Sequence, residues 1–263
     1  EQVMKYLNER FINKIIVIAD KHQARQYNKY KETINCMKTG VPILYQAVLH
    51  DYDSKLYGIA DLIVRSDYIN QIFTEKILNT DEIKIGCLFS KDWHYRVIDI
   101  KCHTLNLCVD GKTIKNDSQS RANKAQLYIY NKILGKEQQF TPSQAYILGR
   151  KWEYSKTINK QINVYKGCGW FDRAGVIDYN GKDADLEYKF NDAIKWVKNV
   201  KKNGHKWSIN PPSKRELYPN MTNTQDEPWH LVKKAIAEDI KEITMIWQCG
   251  FDKRNNALNE GIT

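Results

Sequence analysis

Short apolar runs, broken by polar turns, alternate with helix-forming stretches along this chain. HQARQYNKYKETINCMKTG is rich in helix formers and ends at Gly40, so residues 1–38 are expected to be mainly helical. VPILYQAVLH (41–50) predicts a strand, DYDSK a turn, and LYGIADLIVRS (56–66) a second strand. A polar, partly helical stretch then runs to about Gly86. HYRVIDIKCHTLNLCV (94–109) predicts a third strand and DGKT a turn. SQSRANKAQLYIYNKILG (118–135) predicts a helix, with Ser118 or Ser120 as its cap and Gly135 as its stop. SQAYILGR (143–150) predicts a last strand. The expected order is helix, three strands, helix, strand, an α/β class of domain over residues 1–150.

Beyond Lys151 the pattern changes. Trp152, Trp170, Trp196, Trp207 and Trp229 fall there, with helical periodicity at 185–203 and 228–248. Residues 151–263 are therefore expected to form a Trp-rich, basic, α-rich extension that could pack on the core. The chain opens on Glu1 and closes on NNALNEGIT, which suggests a piece excised from a longer polypeptide.

Charge narrows the partners. Lys and Arg number 41 against 31 Asp and Glu, a net charge of +10, which favours nucleic acid or an anionic membrane. No lipidation motif, basic amphipathic N-terminus or apolar run of spanning length favours the membrane. The six cysteines are dispersed and form no Cys-x-x-Cys pair, as expected of free thiols in a reducing, intracellular compartment.

The candidate chemistry sits in YRVIDIKCH (95–103). In a strand alternate side chains share a face, so Asp99 and Lys101 point one way and Ile98 and Ile100 the other. Two charges on one face of a buried strand are costly unless something uses them. An edge ion pair is one use; half of a metal site beside a cationic catalytic group is another. Asp61 lies inside the preceding apolar strand, and Gln126 and Tyr130 lie four apart on the following helix. Two strand carboxylates can hold Mg²⁺ or Mn²⁺, and a neighbouring ammonium can orient a water and offset charge on a phosphate. By alternation His103 shares the face of Asp99 and Lys101, either touching a phosphate or sitting as a satisfied strand-end histidine.

An acid on one strand, acid-x-Lys on the next, and Gln-x-x-x-Tyr on the following helix resembles the RecB-like branch of the PD-(D/E)XK nuclease superfamily. IVR, DWHY before the acid-x-Lys strand, and AYILG after the Gln-Tyr helix are similar to a group of RecB-family nucleases also found beside ribonuclease H-like domains. The resemblance covers roughly residues 30 to 150. It implies a PD-(D/E)XK, restriction-endonuclease-like core and a metal-dependent hydrolase that cuts phosphodiester bonds, with DNA the expected substrate. It implies Asp61 and Asp99 as metal ligands together with the backbone carbonyl of Ile100, and Lys101, Gln126 and Tyr130 as catalytic residues. It also implies an acid from the helix before the first strand, for which Glu32 is the best placed, with His22 and Gln46 competing. The four clustered cysteines that hold an iron–sulfur cluster in some relatives are not in this sequence, so no cluster is expected. A ribonuclease H-like or other domain further along a longer polypeptide would suit the same group. Two rivals stand beside this reading: a catalytically silent nucleic-acid-binding module, and a nuclease acting on RNA.

KWVKNVKKNGHKWSINPPSKR (195–215) holds seven Lys/Arg and no acid. Lys195, Lys198 and Lys202 fall on one helical face and could meet phosphates, and Trp207 could stack on an unpaired base. A solvated helix face with core tryptophans accounts for the same pattern.

Overall fold

A computed structural model describes residues 2–262, with the side chains of Ser118 and Gln119 outside that description. α1 (Gln2–Arg10) and a three-residue strand β1 (Ile15–Val17) come first, so residues 1–38 are not one helical region. Then follow α2 (Tyr27–Lys38), β2 (Ile43–Asp51), β3 (Leu56–Arg65), α3 (Ser66–Ile72), α4 (Thr80–Ile83), β4 (Tyr95–Asn106), α5 (Ser118–Gln138) and β5 (Gln144–Ile158). β6 (Gln161–Gly167), β7 (Gly175–Asp178), α6 (Leu186–Asn203), α7 (His230–Asp239) and α8 (Phe251–Asn259) complete the chain.

The strands form one mixed seven-stranded sheet in the order β1-β2-β3-β4-β5-β6, with β7 also paired to β5. β2, β3 and β4 are successive antiparallel neighbours, whereas β4 and β5 run parallel. A parallel pair needs a crossover, and α5 supplies it. Met37 of α2 and Leu127, Ile133 and Leu134 of α5 pack with Val97 and Ile147 in one buried cluster. Val3 and Leu7 of α1 and Ile69 and Ile72 of α3 pack with Leu62, Ile98 and Leu148 in another. This is an α/β domain, with apolar side chains of both sheet faces buried under helices.

Three boundaries differ from expectation for local reasons. Asp117, rather than Ser120, caps α5: its Oδ1 accepts from the Ser120 amide at 2.8 Å and from the Ser120 hydroxyl at 2.6 Å. The side chain of Ser118 lies outside the described residues. α5 passes through Gly135 and ends where Gln139 turns left-handed, at φ 53°. Gly135 serves packing instead, since a Cβ there would lie 2.2 Å from Thr141 Oγ1. The helix expected over 228–248 stops at Asp239. Lys241 is left-handed at φ 55°, and the Glu242 carboxylate accepts from the Thr244 amide at 3.1 Å, which favours a turn over further helix.

The expected division at 150/151 falls inside β5, which is continuous across it. The compact units are Glu1–Asn191 and Asp192–Thr263. The second unit carries α7 and α8. There Arg254, almost fully buried, donates to the Tyr218 carbonyl at 3.1 Å and lies 4.8 Å from the Phe251 ring centre. No helix among the described residues is long and apolar enough to cross a membrane. All six cysteines are free thiols.

His94 belongs to the core of the first unit. Its Nδ1 lies 2.8 Å from the Ile85 carbonyl oxygen, and its Nε2 accepts from Arg96 Nε at 2.8 Å. Burial lowers its pKa from 6.5 to about 4, with the Arg96 charge adding to the effect and the Ile85 bond opposing it. Because the fold holds the imidazole neutral, its contribution is complete above pH 6.5 and is lost as pH falls toward 4. At about 1.4 kcal/mol per pKa unit, roughly 3 kcal/mol of stability should disappear across that window. Melts between pH 7 and 4 check this: His94→Gln should show a flatter acid limb, and an unchanged limb would rule the effect out.

Candidate active site

The register of the sheet brings the two strand carboxylates together. β2 and β3 pair through Tyr45↔Leu62 and Ala47↔Ala60, which sets Gln46 opposite Asp61. β3 and β4 pair from Leu62↔Ile98 onward, so one step further sets Asp61 opposite Asp99. Gln46 is left-handed, at φ 54°, and the regular ladder lapses at this row. Alternation breaks with it. Leu44 and Ala47 on β2, and Ala60 and Ile63 on β3, fall in one core cluster despite their odd spacing. The kink frees the Asp61 carboxylate from the ordinary up-or-down choice. Its Oδ1 accepts from Gln46 Nε2 at 2.8 Å and its Oδ2 from the Ile100 amide at 2.8 Å.

Asp99 is 2 % exposed. Lys101 Nζ lies 2.7 Å from its Oδ2. That contact is charge against charge rather than a directed hydrogen bond, and Oδ2 has no hydrogen-bond partner among the described residues. Burial, then the facing Asp61 carboxylate, raise the Asp99 pKa to about 7, while Lys101 acts in the opposite sense. Lys101 Nζ also donates to Gln126 Oε1 at 3.2 Å, and Gln126 Nε2 donates to the Tyr130 hydroxyl at 2.9 Å. A connected chain of polar groups thus runs from Asp99 through Lys101 and Gln126 to Tyr130.

Backbone and helix choices hold this arrangement. Asn123, Gln126 and Tyr130 repeat at helical spacing, and Asn123 Nδ2 lies 3.2 Å from His103 Nε2. His103 Nδ1 lies 2.9 Å from the Thr104 carbonyl oxygen, so both ring nitrogens have neighbours. Tyr130 is buried over Gly58, where a Cβ would lie 2.3 Å from the ring. Glycine in the β3 strand is what lets the α5 tyrosine reach the sheet.

The sequence candidates therefore divide. Asp61, Asp99, Lys101, Gln126 and Tyr130 come together, with the Ile100 backbone meeting Asp61 through its N–H. Glu32 does not join them. It pairs with Lys29 at 2.8 Å, and among the described residues no three His, Cys, Asp or Glu side chains gather as a metal-holding group. Gln46 meets Asp61 instead, its backbone being left-handed at that row. In the second unit Lys195, Lys198 and Lys202 are exposed on α6, and Trp207 is half-buried with its ring stacked on Trp196 at 5.2 Å. One face of Trp207 is thereby occupied within its own unit.

Asp99 Oδ2, buried and lacking a hydrogen bond beside a second carboxylate, is the kind of oxygen that a hard divalent cation would complete. The donors fit such an ion: carboxylates from Asp61 and Asp99, with the Gln46 amide oxygen and a backbone carbonyl as neutral additions. No family model matches this chain, and no curated protein shows significant sequence similarity to it.

Proposed function

We propose that this protein is a metal-dependent nuclease with a RecB-like PD-(D/E)XK core, formed by α2, β2, β3, β4, α5 and β5, and that DNA is its substrate. The observation that carries the reading is the pairing of two facing strand carboxylates with a lysine that is itself held by Gln126 and Tyr130. A bound Mg²⁺ or Mn²⁺, held by Asp61, Asp99 and the Ile100 carbonyl, would neutralise phosphate charge and make a coordinated water more acidic. The Lys101 ammonium, beside Asp99, would attract the phosphate and orient a water toward phosphorus. Gln126 fixes the direction of the Lys101 ammonium, and Tyr130 fixes Gln126. Asp61 is oriented by Gln46 and by the Ile100 amide, so its carboxylate is set before substrate arrives. Exposed lysines, Lys195, Lys198 and Lys202 among them, would contact phosphates without reading sequence. A silent binding module would need neither a carboxylate pair with one member almost fully buried nor a lysine ordered beside that member.

The test is cleavage of end-labelled and circular DNA, single- and double-stranded, with matched RNA, in Mg²⁺, Mn²⁺ or excess EDTA. Cleavage is expected with either metal and not in EDTA. Cutting that is indifferent to EDTA would refute the metal chemistry, absence of cutting would favour the silent module, and cutting of RNA alone would move the substrate.

A further inference from the structure

Six buried side-chain nitrogen or oxygen atoms lack a hydrogen-bond partner among the described residues. Four belong to Glu75, Asp99, Arg173 and Arg254, each of which sits in an ion pair. The other two are on neutral groups, Asn131 Oδ1 and Tyr179 Oη, and both residues line one cavity of about 360 Å³. An uncompensated buried polar atom is costly, and two of them on residues of one cavity point to a ligand that completes them.

Three segments build the cavity. Tyr128 and Asn131 come from α5, Thr141 and Ser143 from the loop that follows it, and Tyr179 from the position after β7. Tyr128 stands about 200° around α5 from Gln126 and from Tyr130, on the side of the helix away from the candidate active site. The groups are held before any ligand arrives. Asn131 is 2 % exposed, and its Nδ2 donates to the Pro142 carbonyl at 2.7 Å. A carbonyl can only accept, so that bond fixes the amide and leaves Oδ1 as a free acceptor. The Tyr179 amide donates to the Ser143 carbonyl at 2.9 Å, and the Tyr179 and Tyr128 rings meet edge to face with centres 5.5 Å apart. Burial, then the Asp183 charge, raises the Tyr179 pKa well above its ordinary value, so the phenol stays neutral.

Charge selects the class of ligand. The charged residues of the lining are already matched, Lys132 with Glu187 at 2.8 Å and Asp183 with Lys124 at 2.6 Å. Lys132 Nζ also lies 5.7 Å from the Tyr128 ring centre, where a cationic ligand would otherwise sit. What remains is the Asn131 acceptor and three hydroxyls, those of Thr141, Ser143 and Tyr179, beside two aromatic rings. Hydroxyls both donate and accept, and aromatic rings suit an apolar C–H face. A sugar ring carries both features and no charge.

We propose that this cavity binds a neutral sugar ring, free or as the ribose of a nucleoside, with one hydroxyl donating to Asn131 Oδ1 and another paired with Tyr179 Oη. The site is separate from the carboxylate pair and does not depend on the nuclease reading.

The probes are ribose, glucose, adenosine and uridine, with ribose and glucose monophosphates as charged counterparts. Binding is read from the amide NMR shifts of the isotope-labelled full chain, because sugars at high concentration raise melting temperatures without any site. At least one neutral probe should give saturable shifts centred on residues 128–143 and 179–187, and a monophosphate should bind no more tightly than its parent sugar. Ribose or glucose binding as tightly as the nucleosides identifies a free sugar; saturation by the nucleosides alone identifies their ribose. Tyr179→Phe should melt at or above wild type without a probe, since it removes only an unpaired hydroxyl, yet bind the same probe about threefold to tenfold more weakly. Shifts that saturate with no probe would leave the cavity to ordered water and overturn the proposal. Unchanged affinity in Tyr179→Phe, or a monophosphate bound much more tightly than its sugar, would overturn it too. So would a lower melting temperature for Tyr179→Phe, which would mean that the hydroxyl already has a partner.

Discussion

Asp99→Asn should lose strand cleavage by at least about a hundredfold while remaining folded, since removing one electrostatic stabiliser commonly costs ~2.7–4 kcal/mol in the barrier. The substitution keeps the size of the side chain but removes the charge that would hold a cation. Lys101→Ala should show a loss of similar size, because the ammonium 2.7 Å from Asp99 is the cation nearest the carboxylate pair. Stability separates this from a structural ion pair. Without metal, Asp99→Asn should melt at or above wild type, because it ends the burial of the Asp99 charge and its repulsion by Asp61. Mg²⁺ should raise the melting temperature of wild type and not of Asp99→Asn, as expected when an ion binds only the folded state. If Asp99 and Lys101 were merely structural partners, either substitution would strand a buried charge, and activity would fall only with the folded fraction. A well-folded Asp99→Asn protein with wild-type cleavage would remove the assignment at this site.

The largest loss of stability should come from a different pair. Lys124 and Asp183 are each about 1 % exposed and lie 2.6 Å apart. Lys124 Nζ also donates to the Ile114 carbonyl at 2.8 Å and to Asn116 Oδ1 at 2.7 Å, while Asp183 Oδ2 accepts from the Asp178 amide at 3.1 Å. Burial lowers the Lys124 pKa and Asp183 resists that shift. Lys124→Met leaves an uncompensated buried carboxylate and should cost about 3–5 kcal/mol in denaturant unfolding. Lys124→Met with Asp183→Leu should recover much of the loss, because apolar replacement of both partners removes the desolvation cost as well. A loss below about 1 kcal/mol, the range of exposed pairs, would mean that water reaches the pair. Cleavage per folded molecule should hardly change, in contrast to Asp99→Asn, although Lys124 lies only two residues from Gln126 on α5.

What the sequence disclosed followed from side-chain periodicity. Ile98 and Ile100 against Asp99 and Lys101 is a clean period of two, and Gln126 with Tyr130 is one helical turn, so β4 and α5 delivered those residues as expected. Gln46 was legible only as a competitor to Glu32, because what brings it to Asp61 is a left-handed backbone in mid-strand, which glutamine does not advertise. β5 ended too early in the sequence reading for a related reason. Residues 151–158 carry enough lysine to look like the start of an extension. Yet Asn159 and Lys160 both turn left-handed, at φ 50° and 62°, and close a two-residue hairpin into β6.

β4 and β5 hold one register through Asp99↔Ile147 and Lys101↔Gly149, then resume one residue out of step at Thr104↔Lys151. Two residues of β4, Cys102 and His103, thus stand against Arg150 alone. Such a step acts like a splice between two lengths of ribbon. Upstream, a one-residue shift would carry Asp99 and Lys101 to the wrong face of the sheet. Downstream, the slack has already been taken up, so the tip of the β5–β6 hairpin can be lengthened, shortened or exchanged for a foreign one while the Asp99 and Lys101 row keeps its alignment. The protein therefore offers a grafting point, beyond Tyr154 on β5 and before Tyr165 on β6, that is separated from the candidate site by a single supernumerary residue.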